Sequence, residues 1–123
     1  MFPLLVVSVL LVAVTVLIHA YGTHYWMRFM ASRFVDTHGE FHQGKVLPAI
    51  ISTAVTLLLL HVIEVIVWAV AYRLLTPIGS LDTFEKAVYF SIVTFTTLGY
   101  GDIIPITKKS QSLALILVLT GQL

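Results

Sequence analysis

Two long runs of the chain contain no charged side chain. Asp, Glu, Lys and Arg are all absent from residues 1–27 and from residues 46–63. A helix needs about 20 mostly apolar residues to cross a hydrocarbon core roughly 30 Å thick. The first run is long enough by itself, and the second is long enough if Glu64 lies within the helix. The pattern therefore predicts spanning helices at residues 2–20 and 46–74.

Polar and apolar positions also outline the segments around these spans. The first helical pattern continues to residue 34, and a polar connection with Gly39 and Gly44 then covers residues 36–45. Trp68 and Tyr72 near the end of the second span are expected to be anchors at the membrane surface.

Two further apolar segments are too short to cross a bilayer. A helix is predicted at residues 83–95, with Ser80 or Asp82 as the capping residue, and its apolar part covers nine residues, 87–95. The final uncharged run, residues 110–123, would form a helix of about 21 Å. We therefore expect that helix to continue beyond Leu123.

Composition supports a membrane protein and excludes several functions. Apolar residues make up 59% of the 123 residues, charged residues only 11%, and the mean hydropathy is +0.99, whereas soluble domains carry about 25% charged residues. The net charge of +1 gives no basis for nucleic-acid binding. The absence of cysteine excludes disulfides and thiol chemistry.

The sequence contains no HExxH, GxSxG or phosphate-binding glycine motif that would indicate an enzyme, and we expect no cofactor. The first run lacks a basic start, which favours a retained helix over a signal peptide.

The stretch TFTTLGYGDIIP, residues 94–105, is unusually polar and glycine-rich for this chain. A short helix followed by irregular backbone, between two spanning helices, predicts a re-entrant loop that lines a water-filled path. Gly99 and Gly101 can adopt positive φ. Alternated with Leu98 and Tyr100, they can turn successive carbonyls toward one axis, where a ring of such oxygens replaces the hydration shell of a cation. The carbonyl end of the preceding helix adds partial negative charge.

The sequence TTLGYGD at residues 96–102 resembles the potassium channel signature TTVGYGD, and the likeness covers residues 83–121. The resemblance to the potassium channel pore family, of bacterial type, implies an all-α membrane protein with three transmembrane helices and a re-entrant pore helix. Residues 1–45 have no counterpart in minimal two-helix channels and would add an N-terminal transmembrane helix with its connecting loop. The implied pore domain, residues 46–123, comprises an outer helix at 46–74, a pore helix at 83–95, a filter at 96–102 and the start of an inner helix at 110–123.

The resemblance also implies roles for single residues. The filter carbonyls that bind K⁺ would belong to Thr97, Leu98, Gly99 and Tyr100. Support for the filter would come from Thr96, Gly101, Asp102 and Tyr89, with Asp102 bonded to Tyr89 and Tyr100 packed outward. Gly121 would be the gating hinge. Leu98 replaces the usual Val, and Val93 stands where some bacterial channels have a glutamate.

The resemblance implies a potassium-selective, passively conducting homotetramer in the plasma (inner) membrane, because four loops are needed to close the carbonyl ring. The alternatives are a poorly selective monovalent cation channel and a non-conducting accessory or sensor protein. A simple glycine turn between two helices is the structural alternative for residues 96–102.

Other polar residues give weaker signals. His61 and Glu64 share one face of the second span, where ionisable groups indicate either a proton-sensitive site or a hydrogen bond between helices. His38, Glu40 and His42 have the chemistry of metal ligands, but without cysteines or a second cluster a solvated loop is the favoured explanation. The distribution of Lys and Arg disagrees with an external pore loop. No span carries the arginine series of a voltage sensor.

Overall fold

The computed structural model of the chain describes residues 2–75, 81–104, 111, 114, 116 and 117. These residues form three helices: α1 is Phe2–Phe34, α2 is Val46–Leu75 and α3 is Phe84–Phe95. An isolated antiparallel bridge joins Val35 to Phe41, and no strand occurs in the described part of the chain. The predicted helix at 110–123, with its hinge candidate Gly121, lies outside the described residues, apart from four helical positions at 111, 114, 116 and 117.

Helices α1 and α2 are both long and apolar enough to cross a membrane. Helix α1 has 33 residues and α2 has 30, which correspond to lengths of about 50 and 45 Å. Helix α1 continues without a break past residue 20, the predicted end of the first span, to Phe34, where the helical pattern of the sequence also ends. Only 11% and 17% of the most apolar windows of the two helices are buried. A helix in the core of a soluble protein would be mostly buried, so lipid is the natural solvent for these surfaces.

The chain divides into two compact units. One unit, Val16–Ile63, is a helix hairpin formed by parts of α1 and α2. The indole Nε1 of Trp26 donates to Thr53 Oγ1 across the hairpin at 3.0 Å. A Cβ atom placed on Gly22 would lie 2.3 Å from Leu60 Cδ2. The two helices therefore pack closely because Gly22 has no side chain.

The other unit comprises Met1–Thr15 and Glu64–Leu123. Its hydrophobic core joins the second half of α2 to α3. Trp68 and Tyr72 are fully buried in this core, and the ring of Tyr72 meets that of Phe90 edge-on at 5.2 Å. The expectation that both aromatic residues are anchors at the membrane surface is therefore wrong. Their spacing of four residues places them on one face of α2, and that face is covered by α3.

Helix α3 begins after Thr83, not after either of the predicted caps. Thr83 has extended backbone, and its Oγ1 accepts a hydrogen bond from the Lys86 amide. Asp82 instead makes an exposed ion pair with Lys86 at 2.8 Å, which lowers the pKa of the Asp82 carboxyl group. The other candidate, Ser80, lies outside the described residues. With 12 residues, α3 is about 18 Å long, and all of it lies within the unit formed by Met1–Thr15 and Glu64–Leu123.

Candidate functional site

The candidate site begins where α3 ends and residues 96–102, which we call the glycine loop, fold back on its last turn. Thr96 caps the helix, and its amide and hydroxyl both donate to the Ile92 carbonyl, at 2.9 and 2.7 Å. The Thr97 amide donates to Thr94 O at 3.0 Å, and the Gly99 amide to Val93 O at 3.2 Å. The carboxyl end of α3 therefore holds the first half of the loop through backbone hydrogen bonds.

The sign of φ alternates along the glycine loop. Thr97, Gly99 and Gly101 have φ values of 61°, 55° and 75°, whereas Leu98 and Tyr100 between them have negative φ. In an ordinary strand successive carbonyls point to opposite sides. A positive φ at every second residue instead can turn successive peptide groups to the same side of the chain. This conformation can present a row of carbonyl oxygens to a single ligand path.

Thr97 is the strained position of the loop. It is the one non-glycine residue with positive φ among the described residues. A β-branched residue with positive φ is an outlier and costs on the order of 1–3 kcal/mol. The roles expected for Thr97 did not include this conformation. The signal was that Thr97 continues the two-residue spacing set by Gly99 and Gly101.

A side-chain hydrogen bond ties the end of the glycine loop to α3. The Tyr89 hydroxyl donates to Asp102 Oδ2 at 2.7 Å. This bond to a carboxylate raises the pKa of the Tyr89 hydroxyl. The two residues are those that the resemblance pairs, and the structure brings them together from positions 13 residues apart.

A cavity of about 260 Å³ lies between α3 and the glycine loop. Phe90 and Val93 line its helix side, Gly99 and Gly101 line its loop side, and Tyr89 and Asp102 also border it. The loop is therefore supported at its two ends by hydrogen bonds, while an apolar space lies behind its middle.

The outer face of the glycine loop is uncovered in a single chain. Tyr100 is 68% exposed and Leu98 is 60% exposed. The resemblance implies that Tyr100 packs outward against protein, and no described residue of the same chain covers it.

The remaining predicted residues lie apart from this loop. His61 is half-buried and Glu64 is buried, at 5% exposure, in α2. His38, Glu40 and His42 are exposed in the connection after α1. There the Asp36 carboxylate accepts from the backbone amides of His38 and Glu40 at 2.8 and 3.0 Å.

Sequence reasoning overlooked His19. The structure places its ring against that of His61 in the helix hairpin, with centroids 5.4 Å apart. A titratable side chain within an otherwise uncharged apolar run was the signal that could have singled out His19.

Comparisons with known proteins identify the region that contains this site. Residues 60–123, which are 64 of the 123 residues, match the protein family described as "Ion channel". Two-pore potassium channel 4 of Arabidopsis thaliana is 55% identical over 40 residues, which are 32% of this chain and 14% of the plant protein. The chain therefore spans only a small part of that relative's length. No solved structure matches the chain.

Proposed function

The chain belongs to the ion channel family, and from this premise we propose that it forms a potassium-selective channel. K⁺ crosses the membrane passively through a filter whose oxygens are the carbonyls of Thr97, Leu98, Gly99 and Tyr100, with the Thr97 hydroxyl at the inner end. Such carbonyls replace the hydration shell of the ion. K⁺ is then the permeant ligand, and no further cofactor takes part.

The observation that carries this proposal is the positive φ at residues 97, 99 and 101, which alternates with negative φ at the residues between them. A glycine turn that only joined two helices would not need three left-handed residues at every second position. It would also not need the amide of Gly99 bonded to Val93 O or the Tyr89 hydroxyl bonded to Asp102. These bonds support the loop conformation that, in this proposal, aligns the carbonyls.

The assembly we propose is a homotetramer in the plasma membrane, of the bacterial type. One glycine loop supplies one quarter of a closed carbonyl ring, so cyclic symmetry with four copies completes the site. The exposed faces of Leu98 and Tyr100 favour coverage by neighbouring copies. In this assembly α2 is the outer helix, α3 is a re-entrant pore helix, and residues 110–123 begin a third transmembrane helix with Gly121 as its hinge. Residues 1–45 add a further helix and loop to this pore domain.

The printed name of the plant relative, a potassium channel, supports K⁺ as the permeant ion. Because only 14% of that protein is matched, the selectivity of this chain needs a direct measurement. The test is cation flux through the purified protein in liposomes, under a K⁺ gradient and then under an equal Na⁺ gradient. We expect K⁺ flux well above Na⁺ flux. Equal fluxes would instead indicate a poorly selective monovalent cation channel, the alternative associated with Leu98.

Gly101→Ala separates a conducting loop from a non-conducting accessory protein. Gly101 has a φ of 75° and no atom within 4 Å of an added Cβ, so the substitution strains only the backbone, by about 1–2 kcal/mol. We expect K⁺ flux to fall to the level of empty liposomes. Gly44→Ala is the matched control, because Gly44 has a φ of 82° and equally open surroundings in the connection after α1. Flux at the level of empty liposomes in the wild type as well as in both variants would favour the accessory function.

A further inference from the structure

Two histidines meet inside the helix hairpin. His19 of α1 and His61 of α2 have ring centroids 5.4 Å apart at an interplanar angle of 72°. Both side chains are half-buried, and each offers a ring nitrogen within 4.8 Å of the other. Two nitrogens bound to one tetrahedral Zn²⁺ at about 2.0–2.1 Å lie roughly 3.4 Å apart. A modest rotation of the rings would therefore bring both nitrogens onto one ion.

The orientation of His61 is that of a typical metal ligand. Its Nδ1 lies 2.6 Å from the carbonyl oxygen of Leu57. A carbonyl oxygen can only accept, so Nδ1 carries the proton and the lone pair belongs to Nε2. Histidines that bind metals usually donate their second ring N–H to a carbonyl or carboxylate, which fixes the tautomer. The Leu57 carbonyl supplies this bond.

The hairpin holds His19 against His61. Gly22 lies one turn after His19, and the absence of a side chain there allows Leu60 of α2 to approach closely. Further along the hairpin, the bond from Trp26 to Thr53 fixes the register of the two helices. These contacts position the two imidazoles without depending on either of them.

We propose that His19 and His61 bind a divalent transition metal ion of the zinc class, which links α1 to α2. Imidazole suits Zn²⁺, Cu²⁺, Ni²⁺ and Fe²⁺, and the chain has no cysteine that would offer a thiolate. A divalent charge is costly inside a bilayer. Glu64 follows His61 by three residues on the same face of α2, so this helix itself carries a carboxylate that offsets part of the charge.

The test is a calorimetric titration of the purified full chain in detergent with Zn²⁺ alone. We expect one Zn²⁺ per chain. His19→Ala and His61→Gln should each weaken binding about tenfold or more, because loss of a ligand costs at least as much as loss of a residue that supports one. The matched controls are His24→Ala and His42→Ala. His24 lies on α1 but packs against Tyr25, and His42 lies in the exposed connection, so both variants should bind Zn²⁺ like the wild type.

Thermal unfolding with and without Zn²⁺ shows whether the variants are folded. The metal should raise the midpoint of the wild type and of His24→Ala, but not of His19→Ala or His61→Gln. Binding that survives both His19→Ala and His61→Gln, or that is lost in His42→Ala, would overturn the proposal. Co²⁺ bound to the wild type offers a check that needs no variant. Its visible absorption spectrum should be that of Co²⁺ with nitrogen ligands. A spectrum of hydrated Co²⁺ alone would also overturn it.

Discussion

The helix hairpin and the glycine loop both depend on glycine, but for opposite physical reasons. At Gly22 the helical backbone suits any residue, and an added Cβ would meet Leu60 at 2.3 Å. At Gly99 an added Cβ would meet nothing within 4 Å, yet φ is 55°. The hairpin needs space, whereas the loop needs a conformation. The two regions should therefore respond differently to the same kind of substitution.

The largest expected effect on stability is that of Gly22→Val. The branched side chain must displace Leu60 or separate the helices, and overpacking of this kind costs roughly 1–3 kcal/mol. Thermal unfolding in detergent should show the loss. Leu60→Ala in the same chain should restore much of it, because it removes the atoms that an added side chain meets. Equal destabilisation with and without Leu60→Ala would mean that space is not the reason for Gly22.

Thr97→Gly tests the opposite requirement. A glycine relieves the strain of positive φ at position 97, so we expect this variant to gain about 1 kcal/mol in unfolding free energy. Thr94→Gly is the matched control, because Thr94 lies within α3 and glycine there should cost roughly 0.3 kcal/mol, the difference in helix propensity between threonine and glycine. Thermal unfolding of both variants measures the difference. If Thr97→Gly were as destabilising as Thr94→Gly, the left-handed conformation would carry no strain.

Tyr89→Phe examines the outer support of the glycine loop. It removes only the hydroxyl that donates to Asp102, so we expect a partial loss of K⁺ flux, about tenfold or less. Asp102→Asn should act on the same bond. In a double-mutant cycle the combined variant should lose little more than the larger single loss. Fully additive losses would show that the two residues act independently.

The smallest expected effect is the pH dependence contributed by Asp82. Its ion pair with Lys86 lowers the carboxyl pKa below the ordinary value of 3.8. This contribution is therefore present above that value and is lost as the pH falls through the folded-state pKa. Asp82→Asn and Lys86→Met should each remove the same small acid-dependent part of the unfolding midpoint. A wild-type acid dependence in either variant would exclude this pair as its source.

Much of the helical structure could be predicted because it follows from local pattern. The uncharged runs predict α1 and α2, and the bounds of α2 differ from the prediction by one residue. The prediction failed where tertiary packing decides. Trp68 and Tyr72 have the composition of surface anchors, but their burial depends on a helix that follows about ten residues later. Periodicity within α2 alone does not report which neighbour covers a face of the helix.

The candidate site shows the same division. The motif at residues 96–102 identified the residues of the loop and suggested positive φ at its two glycines. Positive φ at Thr97 was not predicted, although Thr97 continues the spacing of the two glycines, because threonine disfavours that conformation intrinsically and adopts it here in a loop that bonds back to the end of α3. His19 was likewise overlooked, since its significance depends on a partner 42 residues away along the chain.

By itself, the sequence determined which segments prefer lipid to water, where the helices lie and which short motif interrupts them. These properties depend on side-chain chemistry and spacing within a few turns of the backbone. Only the tertiary structure decided which aromatic residues form a core, why Gly22 must be small and which histidine meets His61. Those outcomes depend on distances between residues far apart in the chain, which periodicity does not contain.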